Sequence, residues 1–146
     1  MGTAQATDYL ENLIIDHLFR TRTFGKPTAL YLALFTASPA DAGGGTEVTG
    51  GSYARVNLAP LDTNWTATQG GTSGNSSGTG GATANAVAIT FPAPTANWGT
   101  VTHFAIMDAL TGGNMLIWDA LTAARVILNG DAAPTFPVGT LQLTVG

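Results

Sequence analysis

The sequence predicts an all-β fold, an antiparallel β-sandwich of about seven strands with one N-terminal amphipathic helix. Charged residues make up only 10% of the 146 residues, against roughly 25% in an average soluble domain. The chain also contains 19 glycines and 23 threonines, a composition that favours short strands and tight turns over helices. A chain of this length can bury one core, so residues 1–146 are predicted to form a single domain.

One helix is predicted near the N-terminus, within a helix-and-linker segment that spans residues 1–24. Asp8 fits a helix cap, with the acidic Glu11 three positions later. Four apolar side chains and one imidazole recur at helical spacing and define one face. They are Leu10, Leu13, Ile14, His17 and Leu18. This stripe needs a partner, and two remain open: the chain's own sheet, which is the simpler one, and a neighbouring subunit.

Seven short runs with extended character follow the helix. Residues 30–35 (LYLALF) are almost continuously apolar, which is typical of a central strand covered on both faces. Most of the other runs alternate polar and apolar residues. They are residues 53–58, 87–91, 103–107, 115–118, 125–128 and 141–145. Gly112 and Gly113 mark a hairpin turn, and short strands with frequent turns favour a sandwich of two sheets.

A long segment from residue 62 to residue 85 interrupts the strands and is rich in glycine, serine and threonine. Trp65 is its only large apolar side chain, so the segment is not expected to contribute to a core. Long loops in compact domains commonly make functional contacts, and their backbone polar groups need partners. We therefore predict a contact arm that is mobile in the isolated protein and ordered against a neighbouring molecule.

Charge and hydropathy exclude several classes of partner. The net charge is −4 with five basic residues, so no basic stripe is available to neutralise a nucleic-acid backbone. No apolar run approaches the length of a membrane span, and neither nucleic acid nor a membrane is predicted as a partner. Three basic residues, Arg20, Arg22 and Lys26, lie close together at the end of the helix. A solvated helix end is the simpler interpretation, and docking to an acidic protein surface is the other.

The sequence predicts no enzymatic activity, no cofactor and no metal site. A G-x-S-x-G pattern occurs at residues 74–78, but a nucleophile elbow needs a buried strand before it and a helix after it. His17 and His103 are far apart in the sequence, which does not favour a histidine metal cluster. Asp41 and Glu47 surround three glycines and could wrap a calcium ion, although an ordinary turn is the simpler interpretation.

Aromatic and basic side chains provide the candidate interface residues. Trp65 and Trp98 lie in loop-like surroundings, where they could anchor a loop, contact another molecule or stack on a sugar. Trp118 lies in an apolar strand and is predicted to belong to the core. Tyr53 and Arg55 lie on a short alternating run. The predicted interface set is Trp65, Trp98, Tyr53, Arg55, Arg20 and Arg22.

Several segments together carry a resemblance to a known family. They are DYLEN (residues 8–12), ALYLALFT (29–36), DAGGGTEV (41–48), GSYARV (51–56), ITFP (89–92) and WGTVTHF (98–104). From about residue 7 to the C-terminus, the chain resembles a family of small virion proteins of tailed bacteriophages. Members of this family are labelled tail-fibre-like, and chains of this size are similar to capsid decoration or cement proteins.

The resemblance implies a non-enzymatic structural protein of the virion, made in the host cytoplasm. Tail-fibre tips usually need long trimeric stalks, and this chain contains neither heptads nor fibrous repeats. We therefore predict a capsid decoration or cement protein that stabilises the head by multivalent contacts. Its partners would be the major capsid protein and copies of itself, in a trimer by analogy. The alternative is a tail fibre or minor tail component that contacts the host receptor, with Trp65 and Trp98 holding host glycans.

Overall fold

The protein, in a computed structural model that describes residues 3–145, is mostly β with one short helix. The predicted all-β class with an N-terminal helix is therefore confirmed. No helix within residues 3–145 is long and apolar enough to cross a membrane. The elements are β1 (Gln5–Ala6), α1 (Asp8–Phe19), β2 (Tyr31–Ala37), β3 (Thr46–Glu47), β4 (Val56–Asn57), β5 (Ala82–Ala84), β6 (Ile89–Thr90), β7 (Gly99–Met107), β8 (Met115–Ile127), β9 (Thr135–Phe136) and β10 (Gln142–Thr144).

The largest sheet has six strands, in the order β1-β8-β7-β2-β3 with β4 also paired to β2. All of its pairings are antiparallel. β7 and β8 form a hairpin around the predicted glycine turn. Along β2 and β7, Leu32 faces Ile106 and Leu34 faces Phe104. The apolar run at residues 30–35 is thus a central strand, as the sequence predicts.

The main core lies between this sheet and a second layer. Side chains alternate between the faces of a strand, so Leu34 of β2 and Phe104 of β7 belong to the same core cluster. The second layer consists of two small antiparallel ribbons, β5 with β10 and β6 with β9. These ribbons and the residues beside them supply buried apolar side chains to that cluster, namely Ile89, Phe91, Leu141 and Leu143. The result is a sandwich of one large sheet and two ribbons.

The opposite face of the large sheet carries a smaller apolar cluster. Ala33 and Phe35 alternate along β2 with the residues of the main core. Trp118 packs against this cluster, in agreement with its predicted place in the core. Its buried members are Ala33, Phe35, Ala105, Met107 and Met115. Apolar packing on both faces explains why residues 30–35 are apolar almost throughout.

Strand β8 is longer than the sequence predicts. The two strands expected at residues 115–118 and 125–128 belong to one strand, Met115–Ile127. Its pairing with β7 shifts between His103, which faces Ala120, and Val101, which faces Arg125. Extra residues on one strand of a pair form a β-bulge. The prediction of two strands is wrong because a bulge interrupts the period of two without ending the strand.

Thr7, rather than Asp8, caps α1 and fastens it to β8. The Thr7 hydroxyl accepts a hydrogen bond from the amide of Leu10 at 3.4 Å and donates to the carbonyl of Met115 at 2.6 Å. The Thr7 amide donates to the carbonyl of Leu116 at 3.0 Å. Asp8 is instead the first helical residue, where its charge complements the helix dipole. The predicted cap is therefore wrong by one position.

The sheet covers only part of the predicted helical stripe. Every one of the 12 residues of α1 is half-buried or exposed. Leu10 packs against the main core and Leu13 is half-buried, but Ile14 and Leu18 are exposed. The simpler expectation, that the chain's own sheet buries the whole stripe, is wrong. The contacts of Thr7 and Leu10 hold α1 at its N-terminal end and leave its other end without cover from the sheet.

The long segment 62–85 contributes to the core at its C-terminal end, against expectation. Ala82–Ala84 form β5, and Asn85 is 0% exposed. The Asn85 side chain accepts from the amide of Leu141 at 2.9 Å and donates to the carbonyl of Val87 at 2.8 Å. Alanine and asparagine carry no strong apolar signal, which is why the sequence does not reveal this contribution.

The predicted run at residues 53–58 contains only a short strand. Val56–Asn57 form β4, which pairs with Tyr31 and Leu32 of β2. Tyr53 lies outside it, because its amide donates to the carbonyl of Gly50 at 2.9 Å and closes a turn. Alternating polarity therefore marks a turn followed by a strand at these positions.

Candidate functional site

An apolar groove of about 540 Å³ opens beside α1. The large sheet lines it with Ile106, Leu116 and Ile117, and α1 lines it with Leu10. Trp65 of the long segment lies against the same space. Loop residues complete the lining, among them Phe24, Pro27, Leu30, Pro60 and Leu61. A concave surface with apolar walls can bury part of another molecule.

Trp65 is held in the groove by its backbone. Its amide donates to the carbonyl of Leu61 at 3.2 Å, and a β-bridge joins it to the buried Asn85. The indole packs against the main core. Its Nε1 is one of three buried polar side-chain atoms in residues 3–145 that have no hydrogen-bond partner. Buried indole N–H groups usually find a partner, so this unpaired donor is an exception within the described part of the chain.

The glycine-serine part of the long segment forms the exposed rim of the groove, with Gly74, Asn75 and Ser76 among its lining residues. This rim is held by hydrogen bonds within the segment itself. Gln69 donates to the carbonyl of Asn75 at 3.0 Å and accepts from the amide of Ser77 at 2.8 Å. These bonds are exposed to solvent, so they add little to stability.

The G-x-S-x-G pattern at residues 74–78 lies on this exposed rim. The Ser76 hydroxyl accepts from the amide of Thr68 at 3.4 Å. The histidines make their hydrogen bonds elsewhere: His17 accepts from the amide of Phe24 at 3.1 Å, and His103 pairs with the Thr102 hydroxyl at 2.8 Å. The pattern therefore lies in a turn-rich loop, as its low-complexity setting indicates.

Arg55 and Glu47 form a largely buried ion pair. The Arg55 Nε and Nη2 donate to the two Glu47 oxygens at 2.8 and 2.7 Å, a bidentate arrangement that strengthens the pair. The Arg55 side chain is 7% exposed. Its Nη1 also donates to the carbonyls of Ala109 and Gly112, at 2.7 and 2.8 Å. The hydrogen bond to Glu47 raises the pKa of Arg55.

Tyr53 extends this network into the core. Its hydroxyl donates to Glu47 Oε1 and accepts from the amide of Leu34, both at 2.9 Å. Burial raises the pKa of the Tyr53 phenol above its ordinary value of 10.0. Both carboxylate oxygens of Glu47 thus accept hydrogen bonds, from Arg55 and Tyr53.

Asp41, the other residue of the predicted calcium loop, accepts from the amide of Asp8 through its backbone carbonyl at 2.9 Å, as a turn residue does.

Trp98 anchors a loop from within the protein. It is 5% exposed and belongs to the main core. Its Nε1 donates to the carbonyl of Gly51 at 2.9 Å, and its ring meets the Tyr53 ring edge-on, with centroids 5.3 Å apart. Of the alternatives that the sequence leaves open for Trp98, the loop anchor matches this geometry.

The six predicted interface residues therefore do not form one site. Trp98 is buried, Tyr53 and Arg55 are half-buried, and Trp65 lines the groove. Arg20 and Arg22 are exposed beyond the end of α1. Arg20 pairs with Asp16 one helical turn earlier, at 2.9 Å, and such exposed pairs stabilise a helix only slightly.

The sequence interpretation missed an apolar surface on α1. Ile15 and Phe19 lie off the predicted stripe and are 49% and 81% exposed. With Ile14 and Leu18 they make the C-terminal half of the helix apolar on its outer side, which we call the α1 surface. The available signal is that Ile15 and Phe19, four residues apart, share one line on a helix. They interrupt the face that otherwise carries Glu11, Asn12 and Asp16.

The β domain leaves two apolar surfaces open to solvent, the groove and the α1 surface. The sequence model of one family, described as Podophage GP4 fiber I protein gp80, matches residues 5–144. The chain belongs to this family, and it is a structural protein of the tailed-phage virion. The predicted resemblance is thereby confirmed. No curated protein sequence matches the chain.

Proposed function

We propose that this protein is a component of the tail fibre of a tailed phage and that it acts by surface contact without catalysis. The family match over residues 5–144, to a group described as a fibre protein, is the observation that carries this proposal. This family match favours a tail component, which the sequence predicts as the alternative, over the capsid decoration protein, which the sequence predicts first.

Two surfaces support a contact function. The groove beside α1 presents Trp65 and a polar rim, the combination with which proteins stack and hydrogen-bond a sugar or bury a peptide. The α1 surface presents large apolar side chains to solvent. The Glu47–Arg55 pair joins the loops around Gly112 and Tyr53 by hydrogen bonds. Under this proposal the host receptor, through its glycans, is a candidate occupant of the groove.

Capsid decoration stays a prediction with its own support. The chain is short, carries little charge and contains no fibrous repeat, features that suit a surface protein bound in many copies. The major capsid protein and copies of this chain would then be its partners, without nucleic acid or membrane contact. The two functions differ in where the chain lies on the particle and in its copy number.

Purified virions distinguish the two. We expect antibody labelling or electron cryomicroscopy to locate the chain on the tail, and quantitative mass spectrometry to find far fewer copies than of the major capsid protein. Labelling over the head, at a copy number that approaches the major capsid protein, would refute the fibre proposal in favour of decoration.

The absence of catalysis is part of the same proposal. Its support is the exposed loop setting of Ser76 and the engagement of His17 and His103 in separate hydrogen bonds. We expect no turnover of peptidoglycan, capsule or ester substrates by the purified chain. Turnover that Ser76→Ala abolishes would contradict it.

A further inference from the structure

The exposed rim of the groove belongs to a loop whose two ends are fixed to the sandwich. At its start, Thr66 and Ala84 form two hydrogen bonds, both at 2.9 Å: the Thr66 amide donates to the Ala84 carbonyl, and the Ala84 amide donates to the Thr66 hydroxyl. At its end, the carbonyl of Gly81 accepts from the amide of Val145 at 3.0 Å. Compact surface loops of this length with neighbouring ends are called Ω-loops, and we use that name for residues 67–80.

The Ω-loop is held together by its own hydrogen bonds. Gln69 joins its two sides, since it donates to the carbonyl of Asn75 at 3.0 Å and accepts from the amide of Ser77 at 2.8 Å. The amide of Thr68 donates to the Ser76 hydroxyl at 3.4 Å. In the part of the chain that the structure describes, every hydrogen bond of the Ω-loop joins two of its own residues. The loop can therefore turn as a unit without breaking a hydrogen bond to the sandwich.

Two glycines next to the fixed end at Gly81 have the properties of a hinge. Gly78 has φ +102° and Gly80 has φ +97°, and an added Cβ on either would meet nothing within 4 Å. Glycine adopts positive φ without the steric cost that other residues have. Both glycines lie between Ser77, the last bonded residue of the Ω-loop, and the bond at Gly81. Rotation at these two positions would turn the loop and leave the packing of the core unchanged.

The groove is the part of the molecule that such a rotation would change. The Ω-loop lines it with polar side chains, among them Thr72 and Asn75, and the large sheet lines it with Ile117. Trp65 also lines the groove but stays with the sandwich, because a β-bridge joins it to the buried Asn85. One wall of the groove is thus attached to the core, and the other is attached only at the ends of a loop.

We propose that the Ω-loop is a lid that controls the access of other molecules to the apolar wall of the groove. It turns about Thr66 at one end and about Gly78 and Gly80 at the other. Loops that open and close over a site are a common way to admit and retain an occupant, and weakly bonded surface segments are the ones that open most readily. The lid rests on the proposed contact function for its use in the virion, but access can be measured on the isolated chain.

The reactivity of a single thiol on the apolar wall measures access, since the chain contains no cysteine of its own. Ile117→Cys places this thiol in the groove, and Val138→Cys is the matched control, because Val138 is 61% exposed and does not line the groove. Replacement of residues 68–80 by a short glycine linker should make the Ile117→Cys thiol react with a bulky maleimide about tenfold faster. The Val138→Cys thiol should react at an unchanged rate.

Circular dichroism and urea unfolding check that each variant keeps the fold. Leu30→Cys, which also lines the groove, replaces Ile117→Cys if that variant does not fold. Equal rates for the groove thiol in the intact and the shortened chain would overturn the proposal, because the Ω-loop would then not restrict access.

Distances between nitroxide labels test whether the Ω-loop moves or is a fixed wall. Leu61→Cys and Ser73→Cys carry the labels: both residues are exposed, Ser73 lies on the Ω-loop, and Leu61 is bonded through its carbonyl to the amide of Trp65 at 3.2 Å. Electron paramagnetic resonance should find a broad distribution of distances for this pair. The control pair, Leu61→Cys with Val138→Cys, should give a narrow one.

A distribution for the Ω-loop pair as narrow as that of the control pair would overturn the proposal, because the loop would then be a fixed wall. Both measurements are made on the isolated chain. Their outcomes do not depend on where the chain lies in the virion, so the lid and the fibre proposal fail separately.

Discussion

Two glycine-rich segments of this protein have similar compositions and opposite structural roles. In the first, residues 43–51, Gly45 and Gly51 pack closely against other parts of the fold, whereas an added Cβ on Gly43, Gly44 or Gly50 would meet open space. In the second, residues 70–80, an added Cβ on any of the five glycines would meet nothing within 4 Å. Glycine content alone predicts a loop in both cases. Whether a loop is packed or open is decided by the partners that the rest of the chain brings to it.

The first segment is built into the core through Gly51. Its carbonyl accepts from the Trp98 indole at 2.9 Å and from the amide of Thr95 at 3.0 Å. Tyr53, two residues after Gly51, stacks on Phe91 with centroids 6.1 Å apart. These partners lie more than 35 positions further along the chain, so local sequence patterns cannot reveal them.

The largest expected effect is that of Gly51→Ala. The residue has φ +55°, and an added Cβ would lie 3.0 Å from both the Ala96 nitrogen and the Trp98 Nε1. Strained backbone and displacement of a buried indole together should lower the free energy of unfolding by about 2–3 kcal/mol. Urea unfolding followed by tryptophan fluorescence measures it. A loss below about 0.5 kcal/mol would show that the segment is not packed as described.

Much of the fold can be predicted from local patterns, and the errors share a cause. The central strand, the glycine hairpin and the N-terminal helix follow from periodicity and turn residues. The bulge in β8, the buried Asn85 and the partners of Trp98 depend on contacts between segments far apart in the chain. Likewise Arg55 is predicted as an interface residue, because sequence alone does not show that Glu47 and two carbonyls enclose it.

The candidate site is less predictable than the fold. Trp65 is identified as exceptional because it is the only large apolar side chain in its segment. The groove that it lines is formed by Leu10, Leu61 and the large sheet together, and no motif marks that meeting. Ile15 and Phe19 show the opposite case, in which an apolar residue on a polar helical face is a readable signal of an uncovered surface.

A second prediction concerns Tyr53, which packs against Phe91 and Trp98 beside the first segment. Burial raises its folded-state pKa above 10.0, so the folded protein keeps the phenol proton after the unfolded chain has lost it. The stability from this difference is fully present below about pH 10 and falls by up to about 1.4 kcal/mol per pH unit above it. Unfolding free energies between about pH 8 and pH 11 should decline less steeply in Tyr53→Phe.

Other groups also titrate at alkaline pH, and Tyr9→Phe provides the control. Tyr9 is 41% exposed, so Tyr9→Phe makes the same chemical change on the surface of the protein. Equal slopes of stability against pH for the wild type and Tyr53→Phe would show that the phenol is not buried. The packing of Tyr53 would then no longer distinguish the first segment from the second.

The smallest expected effect is that of Gly74→Ala in the second segment. Its φ of +78° is strained for alanine, but an added Cβ would meet open space, so only the conformational cost remains, about 1 kcal/mol or less. Residues 70–80 are all exposed, and their side-chain hydrogen bonds join them to the neighbouring Thr68 and Gln69. That strain can therefore relax by local opening. Urea unfolding should therefore separate Gly74→Ala from Gly51→Ala, and hydrogen exchange should find residues 70–80 poorly protected in both the variant and the wild type. A loss for Gly74→Ala as large as that for Gly51→Ala would mean that the second segment is also packed against the core, and the contrast between the two segments would fail.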